Sequence, residues 1–136
     1  MRGGREEIKT SRAALYAGGV IPIDAAAFES LVSEALDGVP PELTALMQNV
    51  VVLIADEPPP DEGEDLLGLY EGIPLTERGG SYGGVLPDRI TIFRGPTLRY
   101  ARDRDEAVRE VRITVVHEIA HHFGIDDDKL HALGYG

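Results

Sequence analysis

The stretch that decides the reading is His117-Glu118-Ile119-Ala120-His121-His122-Phe123-Gly124-Ile125-Asp126-Asp127. Asp103, followed three residues later by Glu106, has the form of a capping box. A helix is therefore predicted from about Arg104 to Phe123, ending at Gly124, the residue that most readily adopts the left-handed conformation closing a helix. On that helix Val108, Val111, Val115 and Ile119 fall in one apolar stripe, which also takes in His122. Ala120, Val116 and Ile113 line the next. His117 and His121 project from the opposite side, four residues apart, so both imidazoles point toward one place.

Two nitrogens at this spacing can share a zinc ion at about 2.0–2.1 Å each. Glu118 lies beside them but angled away, suited to take a proton from a metal-activated water rather than to ligate. A catalytic zinc needs a third protein ligand and an open position. The turn at Gly124 offers a route by which Asp127 can come back under the two histidines. The bare His-Glu-x-x-His pattern arises by accident in about 0.5% of chains this size, and the added Gly and acid make accident much rarer. Histidines merely hydrogen-bonded in a core, or a closed structural zinc, are the competing readings.

Composition narrows the chemistry further. The 136 residues contain no cysteine, which removes thiolate nucleophiles, Cys-based zinc fingers and disulfide frameworks. Any metal must be held by His, Asp or Glu. The 24 acids against 13 bases give a formal net charge of −11, which argues against a nucleic-acid partner. No apolar run approaches the length of a membrane helix. The N-terminal MRGGREEIKT lacks the apolar segment of a signal peptide, so a cytoplasmic location is expected. Oligomeric state is not legible.

Residues 1–20 read as a flexible N-terminal arm and residues 21–136 as a single domain. Asp24 is a helix N-cap, with Phe28, Leu31, Val32, Ala35 and Leu36 forming an amphipathic stripe after it. Pro41 opens a short second helix with Leu43, Leu46 and Met47 inward. Val50 to Ala55 is a continuous apolar run that reads as a strand buried on both faces. Asp56 to Asp65, with six acids and three consecutive prolines, is a solvated loop. Leu66 to Ile73 is a second strand whose glycines suit an edge. Leu75 to Asp88 is a Gly-rich loop, Arg89 to Arg94 a third strand, and Gly95-Pro96 a turn. Residues 78–112 hold eight arginines against five acids. This excess reads as solvated faces and ion pairs, with a partner patch as the alternative.

With these residues in view, the chain resembles the zincin metallopeptidases. LLGLYEGIPLTER, GVLPDRITIFR and TVVHEIAHHFGIDD together are similar to the short bacterial branch called minimal zincins. The resemblance covers most of residues 21–134. It implies an α+β fold, a small mixed sheet packed on the His-Glu-x-x-His helix with the helix from Asp24 to Leu36 beside it. It implies one zinc ion on His117, His121 and Asp127, Glu118 as general base, and a peptide substrate lying along an edge strand. An oxyanion stabiliser is also expected, for which Tyr70 and Tyr82 are candidates, ordinary packing being the competing reading.

The chain departs from larger zincins in having no methionine placed for a Met-turn and only nine residues after Asp127. Short or unfolded peptides are therefore the expected substrates. A zinc-dependent hydrolase of another class, ribonuclease-like, and a catalytically silent zinc-binding interaction module are the alternatives.

Overall fold

Asp24 begins the first helix as the sequence predicts: its carboxylate accepts the Ala27 N–H at 2.9 Å, relieving one of the donors that a helix start leaves unpaired. The computed structural model describes residues 22–72 and 86–135. Helix α1 (Ala25–Asp37) is followed by the short α2 (Pro41–Thr44), which tightens into a 3₁₀ turn at Ala45–Met47. Strand β1 (Val50–Ala55) leads through a loop with a 3₁₀ turn at Pro60–Glu62 to β2 (Gly68–Glu71). Strand β3 (Asp88–Phe93) runs directly into α3 (Arg94–Tyr100), and α4 (Arg104–Phe123) and α5 (Asp127–Ala132) complete the order. The fold is α+β.

The three strands form one mixed sheet in the order β1-β3-β2. β3 is central, parallel to β1 with Val52 opposite Ile90, and antiparallel to β2 with Tyr70 opposite Ile90 and Gly68 opposite Ile92. Strand alternation puts Asp88, Ile90 and Ile92 on one face, and all three are buried. Helix α4 covers that face and α1 packs along α4. The core joins Phe28, Leu31, Val32 and Ala35 of α1 to Ile90 and Ile92 of β3 and to Val111, Val115, Val116 and Ile119 of α4. Each of these side chains larger than alanine contributes about 1.5–3 kcal/mol through removal from water.

Gly68 is needed where α4 meets β2. A Cβ there would stand 2.6 Å from Thr114 Cγ2 and 3.2 Å from the Thr91 carbonyl oxygen. The glycine thus lets the helix approach the edge strand closely.

Three expectations are corrected. β1 is not buried on both faces: it is an edge strand, with Val51 39% and Leu53 46% exposed. An apolar run does not reveal how many helical layers will cover it, and among the described residues helices pack on one face only. Gly95-Pro96 is not a turn but lies in the first turn of α3. Proline is tolerated there because its missing N–H would have no intrahelical partner, and the Thr97 hydroxyl donates to the Phe93 carbonyl at 2.8 Å. His122 does not enter the core. Its side chain is 39% exposed, because it lies over the edge strand β2 against Tyr70 rather than among the buried residues of α4 and α1.

Candidate active site

Helix α4 starts on Asp103, whose carboxylate accepts the Glu106 N–H at 2.8 Å. The Glu106 carboxylate turns back to the Arg102 N–H and guanidinium rather than to Asp103, so only half of the capping box forms. At the other end Gly124 takes the left-handed conformation at φ 70° and ψ 30°. Its N–H and that of Ile125 both reach the Ala120 carbonyl, the Ile125 bond at 2.9 Å. This closes the helix one residue after Phe123 and lets the chain reverse. Asp126 then caps α5 by accepting the Lys129 N–H at 2.9 Å, and buried Leu130 ties α5 to the core.

Between these ends α4 presents two adjoining stripes. Thr114, Glu118 and His122 face β2. Glu118 Oε1 accepts the backbone N–H of Tyr70 at 2.9 Å, a donor on the side of β2 away from β3. The Tyr70 hydroxyl donates to Asp88 Oδ2 at 2.7 Å. The Tyr70 ring stacks on His122 with centroids 4.0 Å apart, and His122 Nε2 lies 3.7 Å from Asp88 Oδ2. Glu118 is therefore steered by the backbone of Tyr70, whose side chain joins Asp88 of β3 and His122 of α4 in the neighbouring cluster.

The second stripe, Arg109, Ile113 and His117, faces the residues after α5. His117 Nε2 lies 3.3 Å from the Tyr135 carbonyl oxygen. A cavity of about 530 Å³ opens beside it, lined by Arg109, Arg112, Ile113, His117, Leu133, Gly134 and Tyr135. His121, one turn beyond His117, is exposed at the end of the helix. Glu110, one position before the Val111 core contact, has its carboxyl pushed above the usual range by burial and by repulsion from Glu106, with Arg109 and His117 opposing.

The donor set suits zinc at two positions: neutral imidazoles are preferred zinc ligands, and one helical turn brings His117 and His121 to the same face. Asp127 sits at the first position of α5. Among the described residues no three His, Asp or Glu side chains are gathered closely enough to hold one ion. Tyr82 lies outside the described residues. Tyr70 is beside Glu118 as expected of a site residue, but its hydroxyl is directed to Asp88.

Sequence reasoning missed Asp88, taken as the end of a loop. The signal was present: Asp88 shares the parity of Ile90 and Ile92 and so faces inward with them. Its burial then explains why Tyr70 and His122 gather round it.

A family model described as zincin-like metallopeptidase matches residues 47–136, spanning β1 through α5 and including both stripes. The chain belongs to the zincin-like metallopeptidase family. The zincin-like chain is also similar to a conserved hypothetical protein from Thermo thermophilus of solved structure, at 30% identity over 74% of this chain and 94% of that one, with a TM-score of 0.51. No curated protein matches it. Membership implies zinc in general terms, and no helix among the described residues is long and apolar enough to cross a membrane.

Proposed function

We propose that this zincin-like chain is a zinc-dependent peptidase acting on short or unfolded peptides, with Glu118 as general base and His117, His121 and Asp127 as the metal ligands. The observation that supports this most is the Glu118 contact with the Tyr70 N–H, because it sets a carboxylate against the edge strand along which an extended peptide would lie. When bound, zinc supplies Lewis acidity toward the scissile carbonyl and an attacking water. Glu118 accepts the proton of that water and returns it to the leaving amine. The Tyr70 N–H holds Glu118 in place beforehand, and the close fit at Gly68 keeps β2 at the distance this contact requires.

Metal analysis beside cleavage of a peptide library tests the reading. The wild type should carry one zinc and cut peptides, and Asp127→Ala should lose most of the metal. Stoichiometric zinc without cleavage of any peptide would instead favour a silent zinc-binding module. Cleavage of RNA in place of peptides would favour a hydrolase of another class.

A further inference from the structure

The arginines of the described chain divide into two groups. Five have a carboxylate of their own: Arg89 with Glu71 at 3.4 Å, Arg94 with Asp56 at 3.0 Å, Arg99 with Glu57 at 2.9 Å, Arg102 with Glu106 at 3.2 Å and Arg104 with Glu34 at 2.9 Å. Two do not. Arg109 has a 3.8 Å approach to Glu106, which Arg102 already holds, and an attraction to the adjacent Glu110 carboxyl but no close ion pair with it. Arg112 donates through Nε to the Ala35 carbonyl at 3.0 Å, and among the described residues no carboxylate pairs with it. Both of these arginines line the same cavity, the one beside His117.

In a chain of net charge −11, two guanidinium groups without carboxylates of their own on one cavity wall call for an explanation. The rest of the lining comes from His117, from Ile113, Leu133 and Gly134, and from Tyr135. A cavity of about 530 Å³ is the size that a small ligand or a few residues of peptide would fill. Guanidinium matches carboxylate in shape and charge, and such contacts gain strength where water is partly excluded.

We propose that this cavity is a carboxylate-recognition subsite for the peptide substrate, with Arg109 and Arg112 as the residues that hold the anion. The assignment rests on the peptidase reading above and adds a substrate preference to it. Arg112 precedes His117 by five residues, about 7.5 Å along the helix axis. That is the span of two to three residues of extended chain, at about 3.3 Å each. The recognised carboxylate therefore lies two to three residues from the bond cut beside His117. It belongs either to the C-terminus of the peptide, in which case hydrolysis releases a di- or tripeptide, or to an Asp or Glu side chain.

Binding to the full-length Glu118→Gln protein tests this without turnover, using labelled hexapeptides of Ala and Leu at low salt. One pair differs only in a free or amidated C-terminus. The other, amidated throughout, carries Asp or Asn at a single position scanned along the peptide. At least one pair should favour the carboxylate by about tenfold or more. Added Arg109→Gln should reduce that preference to less than about threefold, with the amide form bound as before. Arg112→Lys, which keeps a charge but not the fork that also holds Ala35, should weaken it less than Arg112→Gln. Equal binding within both pairs, a preference that survives Arg109→Gln and Arg112→Gln, or no binding of any peptide would overturn the proposal. Wild-type cleavage of the same peptides separates the two ideas. Carboxylate preference without cleavage keeps the subsite and discards the peptidase, whereas cleavage indifferent to carboxylates does the reverse.

Discussion

The two stripes of α4 differ in how completely they are engaged. Toward β2, Glu118, Tyr70, Asp88 and His122 are linked by hydrogen bonds of 2.9 and 2.7 Å and a ring stack at 4.0 Å, and Gly68 lets backbone and helix nearly touch. Toward the residues after α5, the same helix borders a cavity, a single 3.3 Å approach at His117, and two arginines without a carboxylate of their own. On the proposed reading the difference divides labour. A reacting carboxylate benefits from fixed partners, since orientation set before the reaction lowers its barrier. A binding surface needs room and uncommitted charge. One helix provides both because neighbouring positions along it face different parts of the molecule.

The contrast can be broken most severely at Gly68. Gly68→Val should cost about 1–3 kcal/mol of stability through overpacking against Thr114, seen as a lower melting temperature, and Thr114→Ala should restore part of it if the clash is the cause. Tyr70→Phe is milder, because the backbone donor to Glu118 and the ring stack remain. Loss of the hydroxyl to Asp88 should cost about 1–2 kcal/mol by denaturant titration. On the cavity side Arg109→Gln should leave stability within about 0.5 kcal/mol of the wild type.

The smallest effect comes from a pair of carboxylates one turn apart. Glu106 is held below its ordinary range by hydrogen bonds from the Arg102 side chain and backbone, whereas burial and Glu106 itself push Glu110 up. A depressed carboxyl stabilises the fold at neutral pH and loses that contribution as pH falls through its folded value. A raised one does the opposite: its penalty is present at neutral pH and disappears as pH falls through its folded value. Glu106→Gln should therefore lower the melting temperature at pH 7. Glu110→Gln should raise it by about 1–2 °C. Both differences should shrink toward acid pH, measured as melting curves across the carboxylate range.

Much of this arrangement is legible in the sequence, for local reasons. Asp24, Asp103 and Gly124 mark helix ends because capping is settled within a few residues, and each performs that role. Phe28, Leu31, Val32 and Ala35 disclose the buried face of α1 through their spacing alone. That His117, Glu118 and His121 share one helix is legible because the cap and the spacing lie within the segment itself. What escapes is set by distant neighbours. Nothing near His122 says that it will lie at the sheet edge on Tyr70, and nothing in Val50 to Ala55 says that one face of β1 will go uncovered. The division of the arginines is likewise invisible, because their carboxylate partners lie up to 70 residues away, as Glu34 does from Arg104. Asp127 is legible as a residue just past the Gly124 turn, while its place at the start of α5 depends on the Asp126 cap that follows that turn.

Everything proposed for the site turns on Glu118 as the base of a zinc-dependent hydrolysis, and Glu118→Gln addresses it most directly. The substitution keeps the size of the side chain and an acceptor for the Tyr70 N–H, but cannot take up a proton. Zinc content and peptide cleavage should be measured on the same preparations of wild type and variant. A base at Glu118 predicts unchanged zinc and a loss of about 10²-fold or more in cleavage rate. Cleavage that persists at the wild-type rate in the zinc-loaded variant would contradict it.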